Sequence, residues 1–437
     1  MSSSRLVSSL RFFAPILFIA ASFAWGLQGA MQWFLRHETP SIRVDADTVL
    51  LADAVASHPH LAQTWDWWSG PWYAAVPYFR PLSMMGFWAQ VRLFGDRNLL
   101  AFEALHWAYH GLILVLLFGF FSPIAGRGRA ALAVGMFAAG ANVYAEQITG
   151  LDAFNCWKDS ADVWHLGFFT LSAWSFLAFL RRDKRRFLIA SLLFWLCAVA
   201  VKESGYCLPF MLPVLLWHEK KWRTKWRSAA IFFALAPLLW AYRWHALGGW
   251  GNRTGSNGSW RQRVAVDALG LPGQVFNGDT LALSLLFAAF LLIWLWPVRE
   301  CGERRIAVPL LWLGALTAAA LWQAMRWSQN SLFDTLMLFS MPAIWPTVLS
   351  SALMLTLYLQ FVMRRDRAQI FAVGWIAVTF IPLAMQPPTS SHLHYPVAPG
   401  WSLFLSCALW ALPSSLKSVA LWLKPVPNGE VQTSNAL

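Results

Sequence analysis

The feature that most constrains this chain is repetition. Apolar runs of roughly 20 residues return along its whole length, and short Lys/Arg clusters separate them. A run of that length matches the hydrocarbon thickness of a bilayer, and a soluble domain has no use for many of them. Composition agrees. Hydrophobic residues make up 58% of the chain and charged residues 13%, where a soluble domain carries about 25% charge. The expected class is an all-α polytopic membrane protein. The net charge of +13 then calls for no nucleic-acid partner, because membrane proteins concentrate Lys and Arg on cytoplasmic loops beside anionic lipid.

About twelve spans are expected, at 10–35, 101–124, 130–144, 163–180, 187–201, 206–217, 228–246, 281–298, 306–325, 336–362, 370–385 and 401–412. The first is too long for a signal-peptide core and has no small-residue cleavage site behind it, so it is expected to be retained. The span at 206–217 is short, with Pro209 and Pro213 expected to bend it. With both termini cytoplasmic, GRGR, RRDKRR, HEKKWRTKWR, RECGERR and RRDR all fall on the inner side, as the positive-inside rule requires. Residues 1–412 are expected to form one transmembrane domain, and residues 413–437 a cytoplasmic tail, amphipathic at first and then disordered.

This register gathers the unusual polar residues on the outer side. The first outer loop, 36–100, holds Asp45, Asp47, Asp53 and Asp66 among Trp65, Trp67, Trp68, Trp72, Tyr73 and Tyr78. Segments 48–60 and 81–94 are expected to be interfacial helices. Carboxylates beside rings suit a polar headgroup on a greasy tail, although the rings alone fit an ordinary aromatic belt. Glu146, Asp152, Asp159 and Asp162 form a second acidic group. Lys202–Glu203 sits where an apolar span ends, and its plain reading is a structural ion pair. His392, His394 and Tyr395 form a further group; H-x-H alone is weak as a metal signal. His106 and His110, four apart, share a helix face as packing or substrate-lining residues. Arg80 is a planar fork suited to phosphate. The five cysteines are scattered without metal spacing, and no disulfide is expected.

Four blocks in order carry a resemblance. PYFRPLSMMGFWAQVRLFGDRNLLAFEALHWAYHGL resembles the "YRPL…lfG.n…H" signature of one branch of the GT-C membrane glycosyltransferases, which includes the transmembrane/TPR O-mannosyltransferases and their bacterial relatives. NVYAEQITGLDAFNCWKDSAD, AVAVKESGYCLPFMLPVLLW and SSHLHYPVAPGWSLF resemble the blocks that follow. The resemblance implies a GT-C-like fold and an inverting transfer of one sugar. The sugar would pass from a polyprenyl-phosphate donor to a glycan, lipid or protein acceptor on the outer face of a bacterial inner membrane. It implies a catalytic carboxylate at Asp47 or Asp45, Asp47 being preferred, and a second acid at Glu146. Lys202 and Glu203 match the family's Lys-Glu pair. Relatives carry Glu-Arg-Tyr where this chain has His392 and His394, so Arg80 or Arg326 would have to take the place of that arginine. Asp162, His110 and Tyr395 complete the expected substrate contacts. Many such enzymes use Mg2+ or Mn2+, for which Asp47 and Glu146 would be the ligands, and others do without. TPR repeats are not found in this sequence.

Such a transfer needs a base for the acceptor hydroxyl and cations for the departing phosphate. The competing class is a flippase or transporter for a lipid-linked glycan, which would line a path at mid-depth and often shows inverted repeats. No repeat between the two halves is visible here.

Overall fold

The computed structural model describes residues 3–38, 46–72, 78–96, 98–143, 160–249, 366–384 and 395–422. All regular structure among them is helical. Helix α1 covers Ser3–His37, α2 Ala46–Ala56, α3 Asp66–Ser69 and α4 Pro81–Phe94. Then follow α5 (Leu99–Ala125), α6 (Arg127–Val143), α7 (Ser160–Arg182) and α8 (Arg185–Val201). The last four are α9 (Leu208–His218), α10 (Trp222–Leu247), α11 (Arg367–Ala384) and α12 (Ala398–Trp422). Short 3-10 turns occupy Leu61–Trp65 and Glu203–Cys207.

Local chemistry sets the boundaries. Pro81 opens α4, a position where its fixed φ and missing N–H cost nothing. The Asn98 side chain accepts from the Ala101 N–H at 3.1 Å and caps α5. Gly126 ends that helix at φ 87°, a conformation open to glycine. Helix α2 stops four residues short of the expected 60, where the Ser57 hydroxyl donates to the Ala54 carbonyl and Pro59 disfavours further helix. Pro209 does not bend the sixth span; it lies in the first turn of α9, and the residues before it form the separate 3-10 turn. Helix α12 continues through Pro413 to Trp422, past the expected boundary at 412.

Among the described residues, helices α5, α7 and α10 are long and apolar enough to cross a membrane. The expected spans at 281–298, 306–325 and 336–362 lie outside the described residues, as do Cys156 and Cys301. Cys197, Cys207 and Cys407 are free thiols.

The helices interlock where small residues admit aromatic rings. A Cβ on Gly119 of α5 would stand 2.5 Å from the Trp174 ring of α7. Gly135 of α6 receives Phe18 of α1, and Gly128 receives Trp410 of α12. Close approach at small residues is the usual way helices associate where lipid removes the hydrophobic drive between them. One large apolar core results, centred on Phe120, Phe121, Phe169, Phe371 and Trp375.

The turns that join these helices gather at two ends. At one end Arg181 donates to the Pro123 carbonyl at 3.0 Å and to Glu219 at 2.7 Å, Lys225 pairs with Asp183, and Arg129 pairs with Asp366 at 2.5 Å. The turns α5–α6, α7–α8 and α9–α10 and the start of α11 therefore share this basic end. The opposite end carries α2–α4, the start of α7 and the α8–α9 corner.

Candidate functional site

A second, smaller apolar cluster builds the floor of the site at that opposite end. It joins Leu51 and Val55 of α2 with Met84, Phe87 and Val91 of α4, and it includes Trp67, Trp72, Phe102, Ala161 and Val201. Ala161 and Val201 immediately precede Asp162 and Lys202, so the cluster that seats the outer helices also fixes the two charged segments. The Ser83 hydroxyl of α4 donates to the Val201 carbonyl at 2.8 Å. The Tyr242 hydroxyl of α10 donates to the Trp68 carbonyl at 2.6 Å.

Lys202 and Glu203 do not pair with each other. Lys202 leaves the end of α8 in extended backbone, φ −155° and ψ 146°, while Glu203 already turns into the 3-10 segment. Their side chains therefore diverge. Lys202 is buried against Asp162 at the start of α7. Glu203 Oε2 accepts from Arg80 Nε at 2.9 Å and lies 2.8 Å from an Arg80 terminal nitrogen. The guanidinium also sits over the Tyr78 ring at 4.3 Å and the Trp72 ring at 4.6 Å. Burial disfavours charge on both Arg80 and Glu203, and their mutual attraction outweighs it. The Glu203 carboxyl is held below the usual carboxylate range and the Arg80 guanidinium is raised further. Two cations face two carboxylates, so these four groups sum to zero charge.

The corner depends on Gly205. A Cβ there would stand 2.6 Å from backbone atoms of Ala198 and Val199. The Trp195 indole donates to the Gly205 carbonyl at 3.0 Å and closes the turn onto α8.

Other expected residues are brought together in pairs. His110 Nδ1 lies 2.8 Å from the Tyr395 hydroxyl, both side chains fully buried. His106 Nδ1 lies 3.2 Å from the Ser160 hydroxyl. The aromatics of the outer loop divide. Trp65 is 66% exposed, as a belt residue would be, whereas Trp67 and Trp72 are buried in the cluster. Arg80 is engaged by one carboxylate and two rings.

Asp47 falls in the first turn of α2, although its side chain lies outside the described residues. Asp45, Glu146, Arg326, His392 and His394 lie outside them altogether. Among the described residues no group of three or more His, Cys, Asp or Glu side chains could hold a metal ion.

Sequence reasoning missed two members of this region. Arg243 of α10 is 5% exposed, stacks over Trp240 at 4.9 Å and contributes to the low Glu203 pKa. His165 of α7 is buried beside Lys202 and Asp162. The available signal was an ionisable residue near the end of an apolar helix, where charge is costly and usually functional.

No family model matches the chain, and no curated protein sequence matches it either.

Proposed function

We propose that this chain is a multi-span inner-membrane glycosyltransferase with its site facing the outside. It would move one sugar from a polyprenyl-phosphate donor to a glycan, lipid or protein acceptor. The observation that carries the reading is the crossed pair of ion pairs, Lys202 with Asp162 and Glu203 with Arg80. It lies at the end of the bundle opposite the basic turns and beside the helix whose first turn holds Asp47. The positive-inside rule places the basic end in the cytoplasm, which turns the site outward.

The chemistry is a single displacement. An acceptor oxygen bonds to the anomeric carbon as the bond from that carbon to the donor phosphate oxygen breaks. The acceptor proton goes to a carboxylate, here Asp47 or its neighbour Asp45, with Glu146 as the second acid. The electron pair leaves with the phosphate, and configuration inverts. Arg80 and Lys202 supply positive potential close by. Their carboxylate partners keep that charge tolerable in an apolar setting while no donor is bound. Arg80 meets Glu203 through Nε and one terminal nitrogen, and a donor phosphate would meet it at the remaining one.

The test is sugar transfer by purified protein in proteoliposomes with a polyprenyl-phosphate sugar, comparing Asp47→Asn, Asp45→Asn and wild type. Loss of turnover in at least one variant, with donor still bound, supports the assignment. Full transfer by both removes the proposed base. Donor that crosses vesicles lacking acceptor would instead favour transport.

A further inference from the structure

The basic end of the bundle contains a surface that sugar transfer does not use. The α7–α8 turn exposes Arg182, Lys184, Arg185 and Arg186, and the α9–α10 turn exposes Lys220, Lys221, Arg223 and Arg227. The two turns are fastened to each other, because Arg181 pairs with Glu219 and Lys225 with Asp183. Those pairs use up the two carboxylates of these turns, Asp183 and Glu219. Eight exposed cations remain on one joined surface.

Two features suit the surface to anions at headgroup depth. First, helices α8 and α10 begin there with basic residues and no acidic residue in their first turns, against the preference of the helix dipole for negative charge at that end. Second, Trp217, Trp222 and Trp226 are 47%, 53% and 49% exposed around the same turns, and indoles of this kind settle at headgroup depth. The guanidinium groups of Arg186 and Arg227 lie over the Phe187 and Trp226 rings at 5.1 and 5.9 Å. That packing extends the charges along the surface.

We propose that these two turns form a binding surface for the phosphate of anionic phospholipid headgroups in the facing leaflet. Lipid phosphates offset repulsion among the eight cations and the opposed helix dipoles, and the three indoles set the depth. The proposal rests on the membrane orientation inferred above and not on sugar transfer, so its test contains no transfer readout.

The experiment uses full-length protein in nanodiscs and detergent. Native mass spectrometry and thermal unfolding compare phosphatidylglycerol with phosphatidylcholine. Wild type is expected to retain several-fold more phosphatidylglycerol and to unfold at higher temperature with it, an advantage that salt weakens. The Arg185→Gln/Arg186→Gln/Arg223→Gln/Arg227→Gln variant should lose the preference, and the matching Lys variant should keep it. Equal retention of both lipids by wild type, or an unchanged preference in the Gln variant, overturns the proposal. So does equal stabilisation by inorganic phosphate at the same phosphate concentration, which would make the surface a site for free anions.

Discussion

Arg80 and Glu203 stand 123 residues apart and meet at 2.9 Å, with the guanidinium stacked on Trp72 and Tyr78. This contact fastens the outer segment before α4 to the corner between α8 and α9. A buried pair contributes little over an apolar replacement, yet removing one partner strands the other charge, typically at about 3–5 kcal/mol. Glu203→Gln and Arg80→Gln should each lower the thermal unfolding midpoint in detergent. The double variant should fall well short of the summed losses, because no charge is then left alone. An additive double variant would show that the two side chains do not interact.

The pair also sets a pH dependence. Burial alone would raise the Glu203 carboxyl, but Arg80 pulls it below the ordinary carboxylate range. A group whose folded pKa is depressed gives stability above its unfolded pKa and loses it as pH falls through the folded value. The stability difference between wild type and Glu203→Gln should therefore be flat from about pH 6 to pH 8 and shrink only below about pH 4.5. Unfolding followed across that range checks it. A difference that changes near neutrality would contradict the assignment.

Gly205→Ala should disturb the corner without altering any charge. Its Cβ would meet backbone at 2.6 Å, which no side-chain rotation relieves. Overpacking of this kind costs about 1–3 kcal/mol, and the displaced Lys202 and Glu203 should depress transfer as well. Gly111→Ala serves as control, since its Cβ would sit 3.7 Å from Phe23, an ordinary contact. Stability and transfer measured together for both variants distinguish strain at the corner from a general intolerance of alanine.

Tyr395→Phe removes the hydroxyl that meets His110 and leaves a buried ring nitrogen without that partner, at a cost of about 1–3 kcal/mol. His110→Phe should cost a similar amount. A double-mutant cycle on unfolding should show coupling between them. If Tyr395→Phe abolishes transfer and leaves stability intact, the pair contacts substrate instead of serving as packing.

Much of the helical frame was legible because apolar runs and their stops are local signals. The 81–94 segment matches α4 at both ends, since proline marks its start and Gly95 its stop. The site was half legible. Arg80, Asp162, Lys202 and Glu203 stood out as polar residues beside apolar runs, but their partners lie 40 and 123 positions away. Nothing periodic announces such distant pairings. Adjacency suggested that Lys202 and Glu203 form a pair, whereas the backbone turn between them sends the side chains apart. Arg243 escaped notice because an arginine near the end of an apolar helix also fits a side chain reaching for the interface.

The Ser83 hydroxyl on the Val201 carbonyl, two residues from Glu203, has a mechanical consequence. It rivets α4 to the same few atoms of chain that Arg80 already holds. If the outer layer opens to admit the proposed lipid donor, α4 is pinned to the bundle at these atoms and would serve as its fixed jamb.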